Sequence, residues 1–162
     1  MMGLKLILCL ALSTWAAPSS DLLLKIRDAA IRSSLDPMLV EAIVKTESNF
    51  SPSAKSPKGA LGLMQVMPST ADECEISAPT HALDNLMGAC ECLRKLINRY
   101  RGDLPLALAA YNAGTKAVQR YGGIPPFPET QKYVRRVLSR YDELRTPKKA
   151  SRSRKTVAQN PR

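Results

Sequence analysis

No stretch of this chain alternates apolar and polar residues with the period of two that a half-buried strand needs, so helices must carry the fold. Histidine is nearly absent. His81 stands alone, and with the cysteines it makes no usual zinc ligand set, so it reads as a surface loop residue and neither a metal nor a cofactor is expected. Long apolar runs are missing too. The run from Leu6 to Leu12 is seven residues against the roughly 20 that cross a bilayer, so no stable membrane anchor is expected. Acids are scarce, 14 Asp and Glu against 24 Lys and Arg, and none lies between Glu47 and Asp72.

What is present fits one compact core: 162 residues, 44% hydrophobic and 23% charged. A monomer is expected. Residues 1–17 have the layout of a secretory leader, with Lys5, the apolar run, and then Ser13, Thr14, Ala16 and Ala17. Cleavage near Ala16 or Ala17 and export to the periplasm or the medium follow. Leu6-Ile7-Leu8 puts no small residue before Cys9, which disfavours a lipid anchor. Once Cys9 leaves, Cys74, Cys90 and Cys92 remain, an odd number that reads as one disulfide and one spare thiol in an oxidising compartment. Cys90 shares the apolar side of its helix with Met87, Leu93 and Ile97. It is therefore favoured as the partner of Cys74, with Cys92 as the alternative.

The net charge of +10 is uneven. After Glu143 come Arg145, Lys148, Lys149, Arg152, Arg154, Lys155 and Arg162 with no acid, so the rest of the chain carries only +3. Residues 146–162 hold almost nothing apolar to bury and read as a disordered basic tail suited to an anionic polymer or membrane surface. The tail has no aromatic residue for base stacking, so nucleic acid is not the expected partner.

Between leader and tail the punctuation marks helix after helix. Asp21 caps a first helix to about Ser33, with Leu23, Leu24, Ile26, Ala30 and Ile31 as its apolar side. Asp36 followed by Pro37 opens a second that runs to Glu47. Residues 51–62 form a loop. Thr70 and Glu73 form a capping box for a short helix ending near Cys74, and Asp84 opens a longer one to about Tyr100. Asp103 and Pro105 start an Ala- and Leu-rich helix, stopped by Gly114, whose small side chains suit the centre of a bundle. A last helix carries Val134, Val137, Leu138, Tyr141 and Leu144 in register. The core domain is residues 20–145.

Glu47 is the anomaly. Val40, Ile43 and Val44 mark one helical face, and the next position in that register is a carboxylate. Loss of water raises the pKa of such a group and makes it a usable acid near neutral pH. Taken alone, it could equally be a helix-terminal Glu reaching solvent.

The surroundings decide the reading: Glu47-Ser48 with Phe50, Ser56, Gly59-Ala60, Gly62-Leu63-Met64-Gln65, Met67-Pro68, Thr70-Ala71, Asn85-Leu86, Ala110-Tyr111-Asn112-Ala113-Gly114, Glu129-Thr130 and Tyr133-Val134. In this order they resemble the soluble lytic transglycosylase domain. The resemblance implies an all-α, lysozyme-like fold of the goose-type and lytic transglycosylase kind, and cleavage of peptidoglycan between N-acetylmuramic acid and N-acetylglucosamine. It implies that Glu47 is the sole catalytic carboxylate. Ser56 is then placed near the N-acetyl group, Gln65 and Met67 line the glycan groove, and Gly62 lets the chain pass close by. Tyr111 and Asn112 form the opposite wall, and Tyr133 and Glu129 are further groove residues. Met64 is left as core. One carboxylate suffices where the sugar's own acetamido oxygen attacks the anomeric carbon, and the C6 hydroxyl then closes a 1,6-anhydro ring without water. Two rivals stand beside this reading. One is a goose-type lysozyme, which the lack of acids after Glu47 argues against. The other is a non-catalytic peptidoglycan-binding or secretion-machine assembly protein, and a small transglycosylase working with an envelope-spanning secretion or conjugation apparatus lies between that and the leading reading.

Overall fold

The computed structural model describes residues 17–146. The expected leader (1–17) and the expected basic tail (146–162) lie outside them except for residues 17 and 146. Seven helices are described, and no strand is present among these residues: α1 (Ser20–Arg32), α2 (Pro37–Glu47), α3 (Pro68–Glu73), α4 (Ala82–Arg99), α5 (Leu104–Ala113), α6 (Thr115–Tyr121) and α7 (Pro128–Arg145). This is the all-α arrangement expected.

Two starts follow their local chemistry as read. The Asp36 side chain accepts from the Met38 amide with Pro37 in the first turn, and Asp103 accepts from the Leu106 amide. Gly114 then stops α5 at φ +84°, a left-handed region that glycine enters freely. Other boundaries differ. Ser19, not Asp21, caps α1, while Asp21 pairs with Lys25 one turn on. Thr70 is not the cap expected for the short helix, because α3 begins at Pro68 with Met67 at its cap and Thr70 already inside. α4 starts at Ala82, so Asp84 lies in its first turn, with its carboxylate 3.4 Å from Nδ1 of His81 at the cap position.

α5 is the central helix. Ala107, Leu108, Ala109 and Ala110 are buried, and α5 packs against α4, α6 and α7. α2 lies against α1 and α7, burying Val40, Ile43 and Val44 completely, each worth about 1.5–3 kcal/mol. The buried side of α1 is Ile26, Ala29 and Ala30, whereas Leu24 and Ile31 of the expected stripe face solvent, 64% and 56% exposed. On α7, Tyr133, Val134 and Val137 are buried and Leu144 is not.

The disulfide joins Cys74 to Cys92, with Cα atoms 6.1 Å apart, and not to Cys90. Cys74 sits half-buried at the end of α3, at the margin of the core, while Cys90 is fully buried with its sulfur 3.9 Å from that of Met64. Two positions apart on a helix point about 200° apart. The cysteine that faces the core therefore cannot reach a partner at its edge. Burial pushes the Cys90 thiol up to about 12, which leaves it protonated and unreactive.

Candidate active site

The site is built on the loop of residues 48–67 and on α2, α5 and α7. Directly after Glu47 the chain turns through Asn49 and Phe50 at φ +52° and +67°. Such conformations cost non-glycine residues of order 1–3 kcal/mol and persist only where the surroundings hold them. Gln65 adopts the same region at φ +48°. The loop folds onto itself through isolated antiparallel bridges from Leu61 to Lys55 and to Val66.

Asn85 holds this loop to α4. Its side chain is wholly buried and accepts from the Met64 amide (2.8 Å) while donating to the carbonyls of Leu61 (3.0 Å) and Pro79 (2.7 Å). Gly62 lies against the same group. A Cβ there would fall 2.4 Å from the Asn85 amide nitrogen and 2.5 Å from the Pro79 carbonyl, in a backbone at φ +76°. Gly62 is thus required by the packing of the loop on Asn85, whatever passes outside. Reading motif by motif gave Asn85 no site role. The available signal was an amide one position before Leu86 in the buried register of a helix, where only a fully bonded polar group is tolerated.

Glu47 ends α2 half-buried. Burial raises its pKa from 4.5 to about 7. The nearby Tyr133 hydroxyl pulls the other way by favouring the ionised form, and the Glu129 carboxylate adds a further upward push. Tyr133 is itself buried, and its hydroxyl closes no hydrogen bond of ordinary geometry, although it is near enough to Glu47 for each to act on the other's titration. Tyr111 is different. Its hydroxyl donates to the Met64 carbonyl at 2.9 Å. Desolvation first, and the Glu47 charge second, hold both phenols well above the usual tyrosine range.

The remaining expected residues fall around this centre. Asn112 accepts from the buried Thr130 hydroxyl at 2.8 Å, which ties α5 to the first turn of α7. Glu129 pairs with Lys58 of the loop at 2.7 Å, both side chains largely exposed, so its reach to Glu47 is electrostatic. Ser56 accepts from the Ala60 amide at 3.0 Å and braces its own turn. Gln65 donates to the carbonyls of Ala54 and Gly62, which fixes its amide. Met67, 38% exposed, lines a groove of about 560 Å³ with Thr70, Tyr111, Asn112 and the two bridged cysteines. A larger hollow of about 670 Å³, lined by Arg32, Glu75, Asp84, Glu91 and Arg94 among others, shares only Cys74 with these residues. Among the described residues no three His, Cys, Asp or Glu side chains gather as a metal would require.

The chemistry available is a proton donor that gives and takes a proton near neutral pH, flanked by two un-ionised phenols, one fixed and one with an uncommitted hydroxyl. Comparisons with known proteins agree with that geometry. The family model described as the transglycosylase SLT domain matches residues 25–134. The transglycosylase of Enterobacteria phage PRD1 is 41% identical over 87 residues, covering 54% of this chain and 32% of its own. The soluble lytic murein transglycosylase of Escherichia coli K12 is 34% identical over 124 residues, covering 62% of this chain and 19% of its own. This chain therefore spans a third or less of the length of those relatives. The solved structure of an inactive mutant of the lytic transglycosylase Slt from Pseudomonas aeruginosa superposes with a TM-score of 0.67 at 28% identity, covering 76% of this chain and 24% of that one. With more than half of its length matched by the family model, this chain belongs to the transglycosylase SLT domain family.

Proposed function

We propose that this protein is a lytic transglycosylase that cleaves the β-1,4 bond between N-acetylmuramic acid and N-acetylglucosamine of peptidoglycan, with Glu47 as both acid and base. The observation that carries the reading is Glu47 itself, a carboxyl raised to about 7 by burial beside Tyr111 and Tyr133. In the first step Glu47 gives its proton to the leaving O4 of N-acetylglucosamine while the acetamido oxygen of the muramic sugar attacks C1. In the second step the Glu47 carboxylate takes the C6 hydroxyl proton, O6 attacks C1 and the acetamido oxygen departs. Glu47 ends protonated as it began, and no water is consumed. The buried, unpartnered Tyr133 hydroxyl is suited to donate to oxygen that becomes more negative in the transition state. The fixed Tyr111 and Asn112 form a wall, Ser56 lies toward the acetamido group, and Met67 and Gln65 flank the glycan with Glu129.

Residues 20–145 act as the catalytic unit, and no helix among the described residues is long and apolar enough to cross a membrane. We place the protein, as an exported monomer, in the cell envelope where that wall polymer lies, and count a secretion or conjugation apparatus among its candidate partners.

A hydrolytic reading rests on one observation, that the charge of Glu129 reaches Glu47. Its carboxylate is held by Lys58, which leaves it poorly placed to activate water. Mass analysis of the sugar ends released from sacculi separates the two. Anhydromuramyl ends made by the wild type and lost with Glu47→Gln are expected. Ends heavier by one water would establish a lysozyme instead.

A further inference from the structure

α7 enters the site with Glu129 and Tyr133 and leaves it with a face the mechanism does not use. Lys132, Arg135 and Arg136 are exposed and Arg140 is half-buried, and none of the ion pairs among the described residues engages any of them. Glu129, Lys132, Arg136, Arg140 and Glu143 follow at steps of three, four, four and three residues, which lays them in one strip along the helix. From Glu129 beside the catalytic acid to Arg140 the strip runs about 16 Å, at about 1.5 Å per residue. Arg135, Arg136, Ser139, Arg140 and Glu143 line a shallow hollow of about 320 Å³ in this face, and the one acid there accepts from the Ser139 hydroxyl at 3.1 Å.

Three guanidinium groups gathered at one hollow are a fork-shaped match for carboxylates. The apolar side of α7 is packed against α2 and α5, so the helix has no hydrophobic face to lay into a bilayer. The one aromatic at the strip's spacing, Tyr133, is buried, so base stacking has no exposed platform there. A peptidoglycan strand carries acidic peptides on alternate sugars, and a strand seated at Glu47 brings those peptides past the end of α7.

We infer that the cationic strip of residues 132–140 docks the peptide carboxylates of the strand whose sugars occupy the cleft; this rests on peptidoglycan being the substrate. The strip thereby makes the enzyme prefer peptide-bearing glycan. The test is binding, so it does not depend on turnover. Binding of full-length Glu47→Gln protein is measured to soluble glycan strands freed from sacculi by an endopeptidase, which keep their peptides, and to the same strands after an amidase, which removes the peptides with their carboxylates and uncovers one lactyl carboxylate on each muramic sugar. Peptide-bearing strands should bind about tenfold more tightly, as several exposed charge pairs together allow, and the preference should weaken with salt. The preference should fall severalfold when Lys132, Arg135, Arg136 and Arg140 are all changed to Gln, and should fall less when the three arginines are changed to Lys, which keeps the charge but not the fork. The basic tail is present in both proteins, so what it adds to the preference cancels when the Gln variant is set beside its parent. Equal loss on both kinds of strand, or an undiminished preference in the Gln variant, overturns the inference. So does a variant that loses only binding to vesicles containing anionic phospholipid, which would make the membrane the partner. Failure of the wild type to release anhydro ends would refute the proposed function and leave this binding difference separately readable.

Discussion

Glu47→Gln should stabilise the protein in a way that depends on pH. The wild-type carboxyl moves from 4.5 in the unfolded chain to about 7 in the fold, because burial disfavours its charge. The folded state then binds the proton more tightly than the unfolded state does. Stability is full below about pH 4.5, falls as pH rises through the window from 4.5 to 7, and stays at the lower level above it. At about 1.36 kcal/mol per unit, the wild type gives up about 3 kcal/mol at pH 8 but only about 0.8 kcal/mol at pH 5. Glutamine does not ionise, so it escapes this loss, and any packing cost of its amide is the same at both pH values and cancels in the comparison. The variant's advantage over the wild type should therefore grow by about 2.5 kcal/mol between pH 5 and pH 8. At roughly 3 °C per kcal/mol for a chain of this size, that is about 7 °C in the difference of melting temperatures. Thermal unfolding followed by circular dichroism at the two pH values measures it. A difference that stays flat with pH would mean that Glu47 keeps its water, and the argument for an acid poised near neutrality would fall with it.

Three further outcomes are expected. The lytic rate should decline about tenfold per unit as pH rises above 7, since only protonated Glu47 can begin the reaction. Tyr133→Phe should shift that limb to higher pH, because it removes the hydroxyl that favours the ionised acid, and should lower the rate at pH 6 by roughly tenfold or more. Its melting temperature should hold at pH 5, where Glu47 is protonated and the deleted hydroxyl has no other partner, and should fall at pH 8, where the ionised acid loses its support. A rate loss with an unmoved pH profile would deny Tyr133 any hold on Glu47. Cys92→Ser opens a bridge between residues 18 apart and should cost about 3 kcal/mol. Reductant should take the wild type to the same melting temperature and leave the variant where it is. A wild type insensitive to reductant would argue against the bridge.

How much of this was legible depended on how local each cause is. Asp36 with Pro37, Asp103, and Gly114 act on backbone groups within a few residues, and the helices start and stop where they say. α6 escaped because seven residues with Val118 alone buried make no periodic pattern. The stripe on α1 was misplaced because its leucines and isoleucine compete for one face. Only the neighbours α2 and α4 decide that Ile26, Ala29 and Ala30 win it. The disulfide failed for a related reason. Apolar register identifies which cysteine faces the core, but a bridge forms where the partner is, and Cys74 lies at the core's edge.

Glu47 shows the limit most plainly. Its register on the Val40, Ile43 and Val44 face could be read off one helix, but register cannot say whether water reaches its carboxyl. That depends on Tyr111 from α5 and Tyr133 from α7, which are remote in sequence, and on a loop held in place by Asn85 from a fourth helix. The order of motifs could stand in for this geometry because each motif answers one of its requirements. Gly62 leaves room for the Asn85 amide, Asn85 positions Met64, and the Met64 carbonyl orients Tyr111. Tyr111 and Tyr133 lie near enough to the buried acid to feel its charge. A carboxylate made uncomfortable in the fold is a loss of stability above pH 5 and, by the same free energy, a proton donor at pH 7. The residues that hold the loop around it are what allow the chain to keep that loss and still fold.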